Sequence, residues 1–276
     1  MEVFSTYIAL RNEAPCKIHG RIEVFDALRK NCCIYDHDDA NAEEVGGNNR
    51  TLSLRGPHDN SFAFEWNKLG MKIDLKSNNG GQFCKGVISW TAISIREPWL
   101  DNHMCSVIKG ELGYAAVYYG IFKKAVQAKL RVFLLSSSPS ADTRVSGTIF
   151  GEHGDFEYST RLEKECYRSA IFSRGEERPE VLAVVDEREM ALSPDCERSK
   201  KLSKASGMEL PLLKPVVVVP RDTCLVVEVD LLAKTCMDEI RFKERVELEV
   251  GHRSCWVSSN GECEMCVFVE WGTVLE

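Results

Sequence analysis

Glu165 and Arg168 place a carboxylate and a guanidinium three residues apart, the spacing at which two side chains share one face of a helix. Their surroundings, Cys166 to Phe172, alternate like a strand, and on a strand residues three apart point to opposite faces. The same geometry bears on Cys263-Glu264-Met265-Cys266, whose CxxC spacing is that of a zinc knuckle or a redox pair. On an extended strand its two sulfurs diverge. Asn260-Gly261 just upstream is a hairpin signal, and with those two residues as the loop Ser259 faces Glu262 and Cys255 faces Cys266. We therefore expect Cys255 and Cys266 to oppose one another across a strand pair, as reduced core thiols.

The six histidines, His19, His37, His58, His103, His153 and His252, show no HxH, HExxH or HxxxH spacing. No metal site is signalled. Asp36-His37-Asp38-Asp39 gathers carboxylates around an imidazole, but not at the spacing of an EF-hand, and reads as a solvated loop. His58 and Asp59 follow Gly56-Pro57 as an acid–base pair would, yet Pro220-Arg221-Asp222 has no histidine at the matching place, so turn chemistry accounts for both. Gly46-Gly47 and Gly80-Gly81 lack the Lys-Ser/Thr or helix that a phosphate loop needs, and no nucleophile elbow or dinucleotide fingerprint is present. The aromatics between Trp99 and Tyr119 suit a ligand groove or, more often in a β segment, a core. The residues thus assign no catalytic, cofactor or metal site, with Glu165 and Arg168 as the one catalytic alternative.

The elements that must position these residues are strands. Val216 to Leu232, VVVVPRDTCLVVEVDLL, packs strand, turn and strand into seventeen residues. Four valines in a row are stiff at χ1 and suit a pleated surface, Pro220 to Asp222 supply turn chemistry, and Val227, Val229 and Leu231 alternate with Glu228 and Asp230. Met71 to Leu75 alternates in the same way, and so does the long run from Val126 to Leu134. Phe62, Phe64 and Trp66 form a further alternating run. Convincing amphipathic helices are nearly missing. We expect an all-β protein of two antiparallel sandwich-like or barrel-like halves, 1–135 and 136–276, meeting near Ser136 to Asp142, with few short helices and a polar mobile loop over 187–209.

The halves echo one another in order. Gly20-Arg21-Ile22 answers Gly147-Thr148-Ile149, the Pro57 turn answers the Pro220 turn, Met71 to Leu75 answers Val227 to Leu231, and Gly86 to Trp90 answers the strand ending at Trp271. Either duplication or shared β patterning accounts for this.

A formal net charge of −7 and sparse basic residues among the aromatics argue against a nucleic-acid partner. The apolar runs are strand-sized, so no membrane span is expected, and the N-terminus reads as a first strand rather than a signal peptide. Twelve scattered cysteines without an export signal suit a reducing, cytoplasmic or nucleocytoplasmic setting.

Leu52-Ser53-Leu54-Arg55-Gly56-Pro57, the Met71 to Lys76 strand, Val126 to Leu134 with SSSPSAD and Gly147-Thr148-Ile149, and Val216 to Leu231 together resemble a plant domain of unknown function abundant in grasses. The resemblance covers most of the chain, and Ala40 to Asn49, Trp99 to Tyr114 and Ser193 to Glu209 depart from it. Its motifs are structural and carry no catalytic residue across. Some members are associated with ribosome-inactivating rRNA N-glycosidases, which implies a carboxylate to stabilise an oxocarbenium-like centre, an arginine for the leaving adenine and aromatics to stack it. Glu165 and Arg168 are the residues that would supply the first two. The expected function is a non-enzymatic binding or protein-interaction module of a plant cell, with a protein as partner and no cofactor. The alternatives are an rRNA N-glycosidase-related defence protein and a sugar- or lipid-binding β-sandwich. The sequence leaves the oligomeric state open.

Overall fold

A computed structural model describes residues 1–12, 14–26, 31–47, 49–58, 68–78, 81–91, 97, 99–136, 143–154, 156–185, 206–235, 238–251, 254–260 and 263–272. The protein is all-β as expected: its described strands pair antiparallel, and among the described residues there is one six-residue helix. No helix among them is long and apolar enough to cross a membrane.

The first half holds β1 (Glu2–Leu10), β2 (Cys16–Asp26), β3 (Asn31–His37), β4 (Glu43–Val45), β5 (Lys68–Ser77), β6 (Gly81–Thr91), β7 (His103–Lys109) and β8 (Gly113–Gly120). One sheet runs β1-β8-β7; the other runs β3-β2-β5-β6, with β4 sharing the edge of β2 that β3 occupies. Alternation drives the assembly. Ile18, Ile22 and Val24 of β2 and Met71, Ile73 and Leu75 of β5 turn inward against Ile8 and Val117 of the facing sheet, all buried, while His19, Arg21, Lys72 and Asp74 stay on the wet face.

The second half holds β9 (Ala125–Ser136), β10 (Arg144–His153), α1 (Arg161–Cys166), β11 (Ser169–Arg174), β12 (Glu180–Val181), β13 (Val184–Val185), β14 (Ser206–Glu209), β15 (Val216–Pro220), β16 (Cys224–Lys234), β17 (Glu239–Glu249), β18 (Ser254–Asn260) and β19 (Cys263–Trp271). Its sheets are β11-β10-β16-β17, with β12 on β10, and β13-β14-β9-β19-β18, with β15 on β9. Val227, Val229 and Leu231 are buried between them while Glu228 and Asp230 stay part-exposed, so β16 has its expected inner face. Val216 to Val219 are buried on both faces. The two cores part between Ile121 and Val126, so β9 belongs by pairing and packing with the second half.

Eight strands of each half are wired alike, while β13, β14 and β15 have no counterpart among the described strands of the first half. β1 pairs β8 as β9 pairs β19. Strand β2 carries β3 and β4 on one edge and β5 on the other, as β10 carries β11 and β12 on one edge and β16 on the other. Gly20 stands opposite Leu75 and Gly147 opposite Leu231, each where its strand changes neighbours. The strand β6, with its Gly86 to Trp90 run, takes the place of β17; the strand ending at Trp271 takes the place of β8.

Two expectations about local pairing change. β18 and β19 pair Asn260 with Cys263, so Cys266 faces Val257 and Cys255 faces Phe268. The register lies one place later than a loop of Asn260-Gly261 would set, and a shift of one place at the link moves every partner by two. Cys166 ends α1 rather than opening a strand. Thr160 caps that helix, its hydroxyl accepting from Glu163 N–H at 3.1 Å, while the Glu163 carboxylate accepts from Ser159 N–H at 2.7 Å. Of the expected polar loop, residues 206–209 form β14 and 187–205 lie outside the described residues, as do Phe62 to Trp66 and Ser137 to Asp142.

Candidate functional site

Glu165 and Arg168 are engaged separately. Glu165 lies on the exposed side of α1, 3.2 Å from Arg161 one turn before it. The Arg168 guanidinium lies 3.7 Å over the Phe150 ring and 3.9 Å from Glu228. Lys164 bridges Glu228 at 2.5 Å and Glu152 at 3.1 Å, and burial raises the Glu152 carboxyl above its ordinary range. This network pins the helix to the outer face of β10 and β16.

The halves meet along a seam built from the start of β1, the segment after β10 and the strand β15. Glu2 and Lys214, nearly unexposed, form an ion pair across it. The Lys214 ammonium also donates to Val3 C=O at 2.6 Å and Ser169 Oγ at 3.0 Å, and Val218 N–H donates to the other Glu2 oxygen at 2.9 Å. Ser5 Oγ donates to Cys166 C=O at 2.6 Å, and Gly56 N–H to Leu213 C=O at 2.7 Å. These bonds tie the start of β1 to the segment before β15 and to β11 and β15.

At one end of the seam two histidines from different halves come together. His103 opens β7 and His153 closes β10, with His103 Nε2 3.4 Å from His153 Nδ1 and His153 Nε2 2.9 Å from Val218 C=O. The carbonyl can only accept, so His153 carries its proton on Nε2 and offers the Nδ1 lone pair. His103 in turn donates from Nε2, which leaves its own Nδ1 unprotonated. That atom is buried and has no hydrogen-bond partner among the described residues. Aromatic rings enclose the pair: Phe156 has its centroid 3.8 Å from that of His103, Tyr167 stacks on His103 at 4.7 Å, and Phe4 meets both histidines edge-on.

Beside this pair lies a cavity of about 410 Å³, walled by His103, His153, Phe122, Phe156 and Pro220 and rimmed by Asp101, Lys123, Lys124, Asp222 and Thr223. Three loops form the rim and are tied together through backbone. Asp101 sits at φ 63°, a left-handed conformation that aspartate tolerates better than most residues. It donates its N–H to Ile121 C=O at 2.8 Å while its carboxylate accepts from Lys123 N–H at 2.7 Å and holds the Lys123 ammonium at 3.0 Å. Arg221 N–H reaches Lys124 C=O at 3.1 Å, and Gly154 N–H reaches Cys224 C=O at 3.0 Å. The Pro220 turn therefore closes the lip of this cavity.

Burial, with the second charge that His153 would add, holds His103 down to about 3, and burial lowers His153 as well. Both imidazoles are neutral at pH 7. Because the folded pKa values lie below the unfolded value near 6.5, the unfolded chain takes up protons first as pH falls. Stability is therefore full above about 6.5 and drains away toward the folded value near 3. Urea melts are expected to show the gap between the wild type and His103→Phe narrowing from pH 7.5 to pH 5. A pH-independent gap would mean that His103 is not held neutral by the fold.

The sequence points to none of this by spacing: fifty residues separate the two histidines, and the cavity lining comes from four distant segments. Two signals do fall here, the Pro220 turn and the stretch from Trp99 to Tyr119, which supplies Asp101, His103 and the half-buried Tyr118. His58 lines a different cavity, with Arg131 and Glu209, and His37 bonds Asn41 C=O in its own loop. Among the described residues no three His, Cys, Asp or Glu side chains are grouped to hold a metal ion. A family model described as a domain of unknown function, DUF6598, matches residues 1–269. No curated protein and no solved structure matches the chain.

Proposed function

We propose, for a chain that belongs to the DUF6598 family, a non-enzymatic binding module whose recognition site is the cavity at the seam. The observation that carries this reading is the His103–His153 pair, two imidazoles contributed by different halves and held neutral in an aromatic enclosure beside a formed cavity. A general base works best with a pKa near the working pH, and these groups are displaced well below it. They suit hydrogen-bond recognition rather than proton transfer. The separate engagement of Glu165 and Arg168 supports the same choice over an N-glycosidase. The resemblance supports placing the module in a plant cell.

The matching geometry of Gly20 and Gly147, both at positive φ opposite a leucine in the same strand order, supports an origin of the two halves by duplication. On that reading a seam between the copies is a natural place for a shared site.

The test is a fragment screen by NMR on the full chain with side-chain assignments. Ligands are expected to shift His103, Phe156 and Thr223 together. Binding confined to the outer face of β2 and β5, or adenine release from ribosomes that Glu165→Ala abolishes, would end this reading.

A further inference from the structure

We infer that a second cavity, on the outer face of β9 and β19, binds a neutral carbohydrate of one or two sugar rings. It holds about 630 Å³ and shares no lining residue with the seam cavity. Its floor is one side of the sheet. Glu270 stands opposite Lys129 and Phe268 opposite Arg131, and Glu209 of β14 pairs with Phe133, two places along β9 from Arg131, so these side chains leave the sheet on the same face. Its wall is the segment from Leu210 to Pro215, held to β9 at both ends by Leu210 N–H to Val132 C=O at 2.9 Å and Leu130 N–H to Pro215 C=O at 2.7 Å. Leu213 N–H is drawn inward to Ile171 C=O at 2.8 Å, and Lys214 to Glu2, while Pro211 stays exposed and Leu212 half-buried along the cavity. His58 reaches the same lining from the first half.

The charges of the lining cancel, and that decides the class of ligand. Lys129 and Arg131 face Glu209 and Glu270, so neither an anion nor a cation is favoured. Arg131 holds Glu209 with a fork of two bonds, Nε to Oε1 at 2.7 Å and Nη2 to Oε2 at 2.8 Å. Each carboxylate oxygen can accept a second bond, and the Glu209 side chain is about 32 % exposed. Fixed donors and acceptors stand side by side, beside the apolar surface of Pro211, Leu212, Pro215 and Phe268. Sugar hydroxyls both donate and accept, and the C–H face of a sugar ring suits that apolar surface. Bonds to ionised groups are about twice as strong as neutral ones, which suits a ligand that gives up water at every hydroxyl. The fold does not demand this polarity: β1 and β8, which pair as β9 and β19 do, carry Tyr7, Ala9, Tyr114 and Ala116 on their outer face.

Calorimetry and NMR on the full chain at pH 7.5 test it with the methyl glycosides of glucose, galactose, mannose and N-acetylglucosamine, beside sodium glucuronate and L-leucine. The expected result is that at least one glycoside binds with a Kd of about 1 mM or tighter, unchanged between about 50 mM and about 500 mM salt because no net charge is exchanged. Its resonances of contact should be those of Leu212 and His58, with His103 unmoved. Glu209→Gln is expected to weaken binding about tenfold or more. Lys129→Met, at an exposed position that leaves the Arg131 fork intact, should weaken it about three- to tenfold and carries the test where Glu209→Gln does not fold. Binding of none of the glycosides overturns the proposal, and so does a glycoside that ignores both substitutions or shifts His103 instead. Tightest binding of glucuronate or of leucine overturns the neutral-ligand assignment.

Discussion

Lys214→Ala is expected to lower the free energy of unfolding by about 3–5 kcal/mol, the range for breaking a buried ion pair from one side. The substitution removes the ammonium that faces Glu2 and leaves a carboxylate about 1 % exposed, to which the Ser169 hydroxyl and Val218 N–H still donate. It also takes a donor from Val3 C=O. Truncation of the lysine stem alone cannot explain so large a loss. A double variant, Glu2→Gln with Lys214→Met, removes both charges and should recover much of the deficit, because the penalty comes from stranding one charge rather than from losing the pair. Urea melts of the wild type, both single variants and the double variant complete the cycle. A loss below about 1 kcal/mol for Lys214→Ala would mean that solvent reaches Glu2 and that the ion pair does not hold the halves together.

The strands were legible because burial imposes a period of two: Val227, Val229 and Leu231 alternate with Glu228 and Asp230, and the fold uses that alternation as written. Alternation says which residues share a face, but not which sheet the strand joins. Val126 to Leu134 reads equally well as the end of one half or the start of the next, and only its pairing with β14, β15 and β19 decides. The helix α1 was signalled after all, by Thr160-Arg161-Leu162-Glu163, a Thr-x-x-Glu capping pattern masked by the strand-like residues that follow it. Nothing comparable announces the seam. Motif spacing reports groups carried by one element, whereas His103 and His153 meet because β7 and β10, each in its own sandwich, end at the same place. Val216 to Val219 carry a faint trace of it: a strand apolar at every position needs cover on both faces, and here the strand reaches the other half through Val218 N–H to Glu2.

Gly147→Ala is expected to destabilise the second half by about 3 kcal/mol or more, with Gly20→Ala doing the same to the first. Both glycines sit at positive φ, 116° and 121°, where an L side chain is strained before any contact is considered. Contact adds to this. A Cβ on Gly147 would stand 2.1 Å from Asp230 O, and one on Gly20 2.2 Å from Asp74 O. The obstructing atoms are backbone carbonyls of the paired central strands, so relief requires moving β16 or β5 itself rather than turning a side chain. Each glycine stands where one edge of its strand passes from one neighbour to the next, β12 to β11 and β4 to β3, and the kink it permits lets a single strand serve both. Gly175 is the internal control: its Cβ position meets nothing within 4 Å and its φ is not in the positive range. Gly175→Ala should be neutral or stabilising by up to about 1 kcal/mol through the unfolded chain. Urea melts of the three variants separate the effects. Similar values for all three would mean that the kinks are dispensable, and the shared glycine geometry of the halves would then lose its physical rationale.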